Sequence, residues 1–212
     1  MKSEDKFDLV LDIAGVLATN FSPLFWRELS IEYSISYSDL IAFKKEIRDE
    51  LWTGKITENE FWHRLRKKFP TIEMEGAKIK LLSCIKPLPA IEQIPLLSEY
   101  VNIHLLSNHR REWIEHIISP VNHYLKSIII SSDVGCCKPQ AEIYLIANTY
   151  VSHDHVLFVD DQEKNLKEAH NIGWNTLLAD EKGEWMNSLS TFVKNSSEIR
   201  RRDDYESTTF RF

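Results

Sequence analysis

Short apolar runs recur along the chain with longer segments of helical period between them. The runs are Phe7 to Leu11, Val101 to Leu106, Ser127 to Ile130, Val156 to Val159 and Asn175 to Leu178. Runs this short and this continuous predict strands covered on both faces, as in a parallel sheet wrapped by helices. The segments Pro89 to Tyr100, His109 to Ile118, Gln140 to Tyr150 and Gln162 to Asn171 have the lengths of the wrapping helices, and Gly173 stands at a stop position after the last. The pattern is βαβ repeated, an α/β chain with a Rossmann-like three-layer α/β/α architecture.

Residues 21–85 have a different texture, with Trp26, Trp52 and Trp62, many charges and no strand-like run. Within them Thr57-Glu58-Asn59-Glu60 is a capping box that opens a helix containing Phe61, Trp62 and Leu65. The segment reads as a small α-helical cap inserted into a core made of residues 1–20 and 86–195, with a polar tail over 196–212.

Composition narrows the function classes. The 212 residues suffice for one core with an insertion, and 26 Lys+Arg against 32 Asp+Glu give a net charge of −6. No broad positive field gathers phosphate backbones, so nucleic acid is not an expected partner. Arg200, Arg201 and Arg202 run straight into Asp203 and Asp204, and Lys67 and Lys68 close a helix. Three cysteines, two of them the neighbours Cys136 and Cys137, suit neither a disulfide framework nor a zinc site. With no signal-peptide core and no run long enough for a bilayer, the expectation is a soluble cytoplasmic protein without a membrane partner, monomeric or homodimeric.

In doubly wound sheets, ligands bind beyond the carboxyl ends of the strands. Asp12 follows the first run, Ser107 and Asn108 the second, Lys138 the third, and Asp160 with Asp161 the fourth. Any one of them can be a helix cap. Together, three carboxylates from two strands suit a hard cation, and a lysine with a hydroxyl suits the anion that the cation attracts. That chemistry is a Mg2+ and phosphate site.

Four stretches in this order resemble the haloacid dehalogenase superfamily of hydrolases. They are Leu9 to Leu17 around Asp12, Leu105-Leu106-Ser107-Asn108, Lys138-Pro139 with Glu142-Ile143-Tyr144, and Val156 to Asp161. The helical insertion is similar to that of the small-capped sugar-phosphate phosphatases related to the N-terminal phosphatase domain of soluble epoxide hydrolases. The resemblance implies that Asp12 is a nucleophile forming an aspartyl phosphate. It implies a magnesium ion held by the Asp12 side chain, the backbone carbonyl of Ala14 and Asp161, with Asp160 as a second ligand or an orienting partner. Ser107 would hydrogen-bond a transferring oxygen, assisted by Asn108 or nearby backbone N–H groups, and Lys138 would neutralise Asp12 and the phosphoryl group. The implied substrate is a small phosphorylated metabolite such as a sugar phosphate.

Ala14 departs from the common family form, whose second carboxylate protonates the leaving oxygen; losing a general acid typically costs about 100 to 10,000-fold. Two further readings follow. A noncatalytic module could retain the site for binding or scaffolding. Phosphonoacetaldehyde hydrolases resemble the chain in having alanine there, and use a cap lysine as a Schiff base, for which Lys44, Lys45 and Lys55 are available. Asp160 and Asp161 argue against dehalogenation, because the dehalogenases proper lack that pair. For substrate contacts, Phe25, Trp26, Trp52 and His63 are cap candidates, and His109, at the mouth of the second strand, reads as a surface histidine at a helix start or as a titrating imidazole that contacts substrate or replaces the missing acid.

Overall fold

The computed structural model describes residues 6–152 and 155–193. Five parallel strands form one sheet in the order β3-β2-β1-β4-β5: β1 Asp8–Leu11, β2 Asn102–Ser107, β3 Leu125–Ile130, β4 Val156–Asp160 and β5 Asn175–Leu178. Each lies where an apolar run predicts it. The central strands β1 and β4 are buried along their whole length, whereas the edge strand β5 is half-buried or exposed throughout. Side chains alternate between layers: Leu9 and Leu11 join one hydrophobic cluster, and Val10 joins the other with Leu106, Ile129 and Phe158.

Four helices occupy the insertion: α1 Phe21–Glu32, α2 Tyr37–Trp52, α3 Glu58–Lys68 and α4 Met74–Ser83. The Thr57 side chain accepts the Glu60 N–H at 3.1 Å, so the capping signal opens α3 as read. The core carries α5 Ile94–Ser98, α6 Arg111–Ile118, α7 Ser131–Val134, α8 Ala141–Asn148 and α9 Glu163–Asn171. Pro89–Gln93 is a 3-10 turn ahead of α5, where the sequence reading has one continuous helix. Residues 185–193 are helical and place Trp185, Leu189 and Val193 in the core, an element the sequence reading lacks. The expected tail over 196–212 lies outside the described residues.

Cap and core are not separate bodies of packing. Phe25, Trp26, Phe43, Phe61 and Trp62 form the interior of the cap, and edge-on contacts carry that interior through Phe21 and Trp52 to Trp113 of α6. The two chain crossings are zipped together. Leu88 N–H donates to Leu17 O at 2.8 Å, and the Thr19 hydroxyl donates to Cys84 O at 2.7 Å while accepting Lys86 N–H at 2.9 Å.

Candidate active site

The register of the sheet assembles the site. Leu11 pairs with Val159 on one side and Leu105 on the other, and Asp12 N–H donates to Val159 O at 2.9 Å. Asp12 and Asp160, next on their strands, and Ser107, two residues beyond Leu105, therefore emerge together at the carboxyl edge where the strand order reverses.

Lys138 joins them from the loop between α7 and α8. Its side chain is fully buried, with Nζ 3.0 Å from Asp12 Oδ2 and 2.6 Å from Asp160 Oδ2. Burial alone would lower the lysine pKa, but the charges of Asp12 and Asp160 outweigh it and hold the ammonium above its ordinary value. Asn108 fixes the backbone beneath it. The Asn108 amide donates to Lys138 O and its carbonyl accepts Lys138 N–H, both at 2.7 Å. The structure thus gives the Asn108 side chain a positioning task on Lys138, where the sequence reading had it at a transferring oxygen.

Asp160 is fully buried and its carboxylate is surrounded by donors. Oδ1 accepts the Gln162 N–H at 2.8 Å and Asn165 Nδ2 at 2.9 Å, and Oδ2 takes Asn165 Nδ2 at 3.0 Å as well as Lys138. That is the surrounding of an orienting partner. Asn165, missed from sequence, lies in the first turn of α9 and carries no signal of its own apart from its spacing from Asp160.

Asp12, Asp160 and Asp161 each bring a carboxylate oxygen to within 4.8 Å of the others. Three carboxylates against one ammonium leave two negative charges uncompensated, which matches a divalent cation. Burial, against the pull of Lys138 and with the push of Asp160, raises the Asp12 pKa to about 7; burial and the charge of Asp160 raise Asp161. Asp161 Oδ1 is buried without a hydrogen-bond partner, an atom left for a cation to satisfy. The residues present therefore fit magnesium. The Ser107 hydroxyl is likewise buried without a hydrogen bond of full geometry, although it stands near enough to help lower the Asp12 pKa.

Gly15 makes the close approach possible. Its φ is +81°, and a Cβ there would lie 2.5 Å from Asp161 Oδ2. The sequence reading used Gly15 only as part of a motif.

The remaining candidates divide. His109 is 2% exposed, boxed by the rings of Phe21, Trp52 and Trp113 at centroid distances of 5.6, 5.7 and 6.2 Å. Arg110 N–H donates to its Nδ1 at 3.0 Å, and burial pulls its pKa down to about 4. It is neutral at ordinary pH, so the expectation of a titrating surface imidazole is corrected: the aromatic box removes the water that the charged form needs. Trp26 is 3% exposed against Phe25 and Phe43 but borders a crevice with Trp52 and Phe25. His63 is exposed on α3 beside Glu60 and Lys67, and Lys45 and Lys55 are exposed. Among the described residues, no helix is long and apolar enough to cross a membrane.

Comparison with known proteins agrees with this geometry. Residues 36–179, about two thirds of the chain, match the family described as haloacid dehalogenase-like hydrolase, a stretch that begins after Asp12. A D-ribitol-5-phosphate phosphatase of Bacteroides thetaiotaomicron is 27% identical over 160 residues, covering 69% of this chain and 78% of the relative. A HAD-like family hydrolase of Porphyromonas gingivalis superposes with a TM-score of 0.74 at 18% identity, over 89% of this chain and 98% of that one. A HAD family enzyme of B. thetaiotaomicron, in a magnesium complex, gives 0.75 at 20% identity over 87% and 98%.

Proposed function

The chain belongs to the haloacid dehalogenase-like hydrolases, and from that premise we propose that it is a magnesium-dependent phosphatase acting on a small phosphorylated metabolite through an aspartyl phosphate on Asp12. The observation that carries this reading is the cluster of three carboxylates, Asp12 and Asp160 buried and Asp161 half-buried, around one ammonium, with Asp161 Oδ1 lacking a partner and the Ser107 hydroxyl beside Asp12. The phosphatase name of the B. thetaiotaomicron relative supports the substrate class.

In this reading a carboxylate oxygen of Asp12 forms a bond to phosphorus as the ester P–O bond breaks, and the alkoxide leaves with a proton taken from solvent or substrate. Water then attacks phosphorus, the acyl phosphate bond breaks and Asp12 is regenerated. Lys138 holds Asp12 Oδ2 and balances charge on the phosphoryl oxygens; Asp160 and Asn165 hold Lys138, and Asn108 holds its backbone. Ser107 donates its free hydroxyl to a phosphoryl oxygen. Asp12, Asp161 and the Ala14 carbonyl would hold magnesium, which supplies Lewis-acid charge at the phosphoryl group when bound. Ala14 has no proton to give, and neutral His109 in its aromatic box does not replace it.

Phosphate release from a panel of small esters, with magnesium or with chelator, tests the reading. Turnover should require the metal and fall by at least about a thousandfold in Asp12→Asn. Turnover that survives either change would overturn it.

A further inference from the structure

Cap and core meet at a narrow crevice between α1, α2 and α6. Its walls are mostly rings, Phe21, Trp52 and Trp113 among them, and the groups in its lining that carry a hydroxyl or a charge are Ser22, Lys44 and Arg48. Ser22 is 9% exposed and its Oγ is buried with no hydrogen-bond partner. The half-buried cations of the cap are Lys44, Arg64, Lys78 and Lys80. Arg64 pairs with Glu50 and Glu60, Lys78 with Glu75, and Lys80 with Glu28 and Glu32. Among the described residues Lys44 has no carboxylate. It faces instead a second cation, Arg48, one turn along the same helix, and burial together with the Arg48 charge lowers its pKa.

Arg48 is exposed, but a half-buried ammonium with no carboxylate, beside a second cation and an unsatisfied buried hydroxyl, is costly unless an anion completes the set. None of the candidate catalytic residues lines the crevice, but its walls reach their neighbours. Arg48 is near enough to Cys137, the residue before Lys138, for its charge to act on that thiol. Phe21 and Trp52, which line the crevice, touch the ring of His109, two residues beyond Ser107.

We propose that Lys44 and Arg48, with the Ser22 hydroxyl, form a second anion subsite, so that the preferred substrate is a phosphate ester whose carbon skeleton ends in a further acidic group. This deepens the phosphatase reading and rests on it. The interior of the crevice is narrow, with about 20 Å³ of free space, which suits the small head of a carboxylate better than a bulky second phosphoryl group. Charge-assisted hydrogen bonds to two cations supply the preference over a neutral hydroxyl terminus.

The test uses binding, so that it stands apart from turnover. With magnesium present, calorimetry compares 3-phosphonopropionate with propylphosphonate, two uncleaved analogues that differ in the terminal carboxylate, and a bisphosphonate of similar length. The wild-type protein should bind the carboxylate-bearing analogue about tenfold or more tighter than propylphosphonate, and the Lys44→Met/Arg48→Met variant should bind the two alike. A bisphosphonate binding tighter still upholds the subsite and makes the second group a phosphoryl. Equal affinities in the wild type, or a preference that persists in the variant, would overturn the proposal. Phosphate release from the ester panel reports separately on hydrolysis, so a failed subsite and a failed phosphatase reading give different results.

Discussion

At residue 14 a methyl group stands where the common form of the family carries its acid, and among the described residues no other proton donor takes over the task. Rate should then depend on how well the leaving oxygen departs unaided. Ala14→Asp is expected to raise turnover of an alkyl phosphate by about 100-fold or more, the low end of a general acid's usual contribution, while an aryl phosphate with a good leaving group gains far less; steady-state kinetics on the pair measures both. The neighbouring position makes a second claim. A Cβ on Gly15 would need the space of the Asp161 carboxylate at a φ that side chains avoid, so Gly15→Ala should weaken magnesium binding about tenfold or more, read by calorimetry, without unfolding the chain. The identity of the polar residues in this cluster was legible because each follows an apolar run, and a polar residue just past a strand must lie at the sheet's carboxyl edge. Their tasks were less so. Whether Asn108 faces a phosphate or the backbone of Lys138 depends on how a loop thirty residues away folds back, and His109 looks like a surface residue until Phe21 and Trp52 arrive from the cap.

Arg110 links two elements that the sequence reading treats as separable. It is 6% exposed, and its guanidinium donates to Ile56 O at 2.7 Å and Leu51 O at 3.4 Å, both in the cap, while pairing with Glu112 of α6 at 2.9 Å. Beside it Glu58 Oε1 accepts two indole N–H groups, from Trp62 of the cap at 3.0 Å and Trp113 of the core at 2.9 Å. Gly54, at φ +68°, allows the same loop to press on the backbone of Ser132. The α2–α3 loop is thus fastened to the core at a point remote in sequence from the two chain crossings. Arg110→Met should leave the Ile56 carbonyl without its donor and cost about 1 to 3 kcal/mol in urea unfolding. It should also raise KM more than it lowers kcat, because the cap wall shifts while Asp12 and Lys138 stay in place. Arg110→Lys should recover only part, since an ammonium lacks the planar fork that spans both carbonyls and Glu112. The cap's helices could be read from a capping box and from spaced aromatics; its docking could not, because a lone arginine before a helix carries no mark of the carbonyls it will find.

Across the whole molecule, the continuous apolar runs were enough to place five strands, since a strand buried on both faces leaves no alternation to misread. The same rule hides polar members inside those runs. Asp8 and His104 are 3% and 2% exposed, joined at 3.1 Å, with Ser127 on the other ring nitrogen and Ser152 on the carboxylate. That network ties β1, β2 and β3 to a loop, at a place where the pattern shows only strand. Buried ionisable groups of this kind set how stability varies with pH, and His109 allows a clean measurement. Its folded pKa of about 4 lies below the ordinary 6.5, so between those values the unfolded chain binds the proton and the folded one does not. Stability from this group is therefore complete above pH 6.5 and is lost as pH falls towards 4, by about 3 kcal/mol for a shift of this size. Asp12 pulls the other way, since its raised pKa makes the folded metal-free state hold a proton that is surrendered as pH rises. Comparing wild type with His109→Phe at each pH cancels Asp12 and every other carboxylate common to both. Urea unfolding from pH 4 to 8 should then show a constant difference above pH 6.5 and a progressive loss by the wild type relative to the variant below it. A difference that stays flat throughout would mean that His109 titrates in water, and that the aromatic box between cap and core is open in solution.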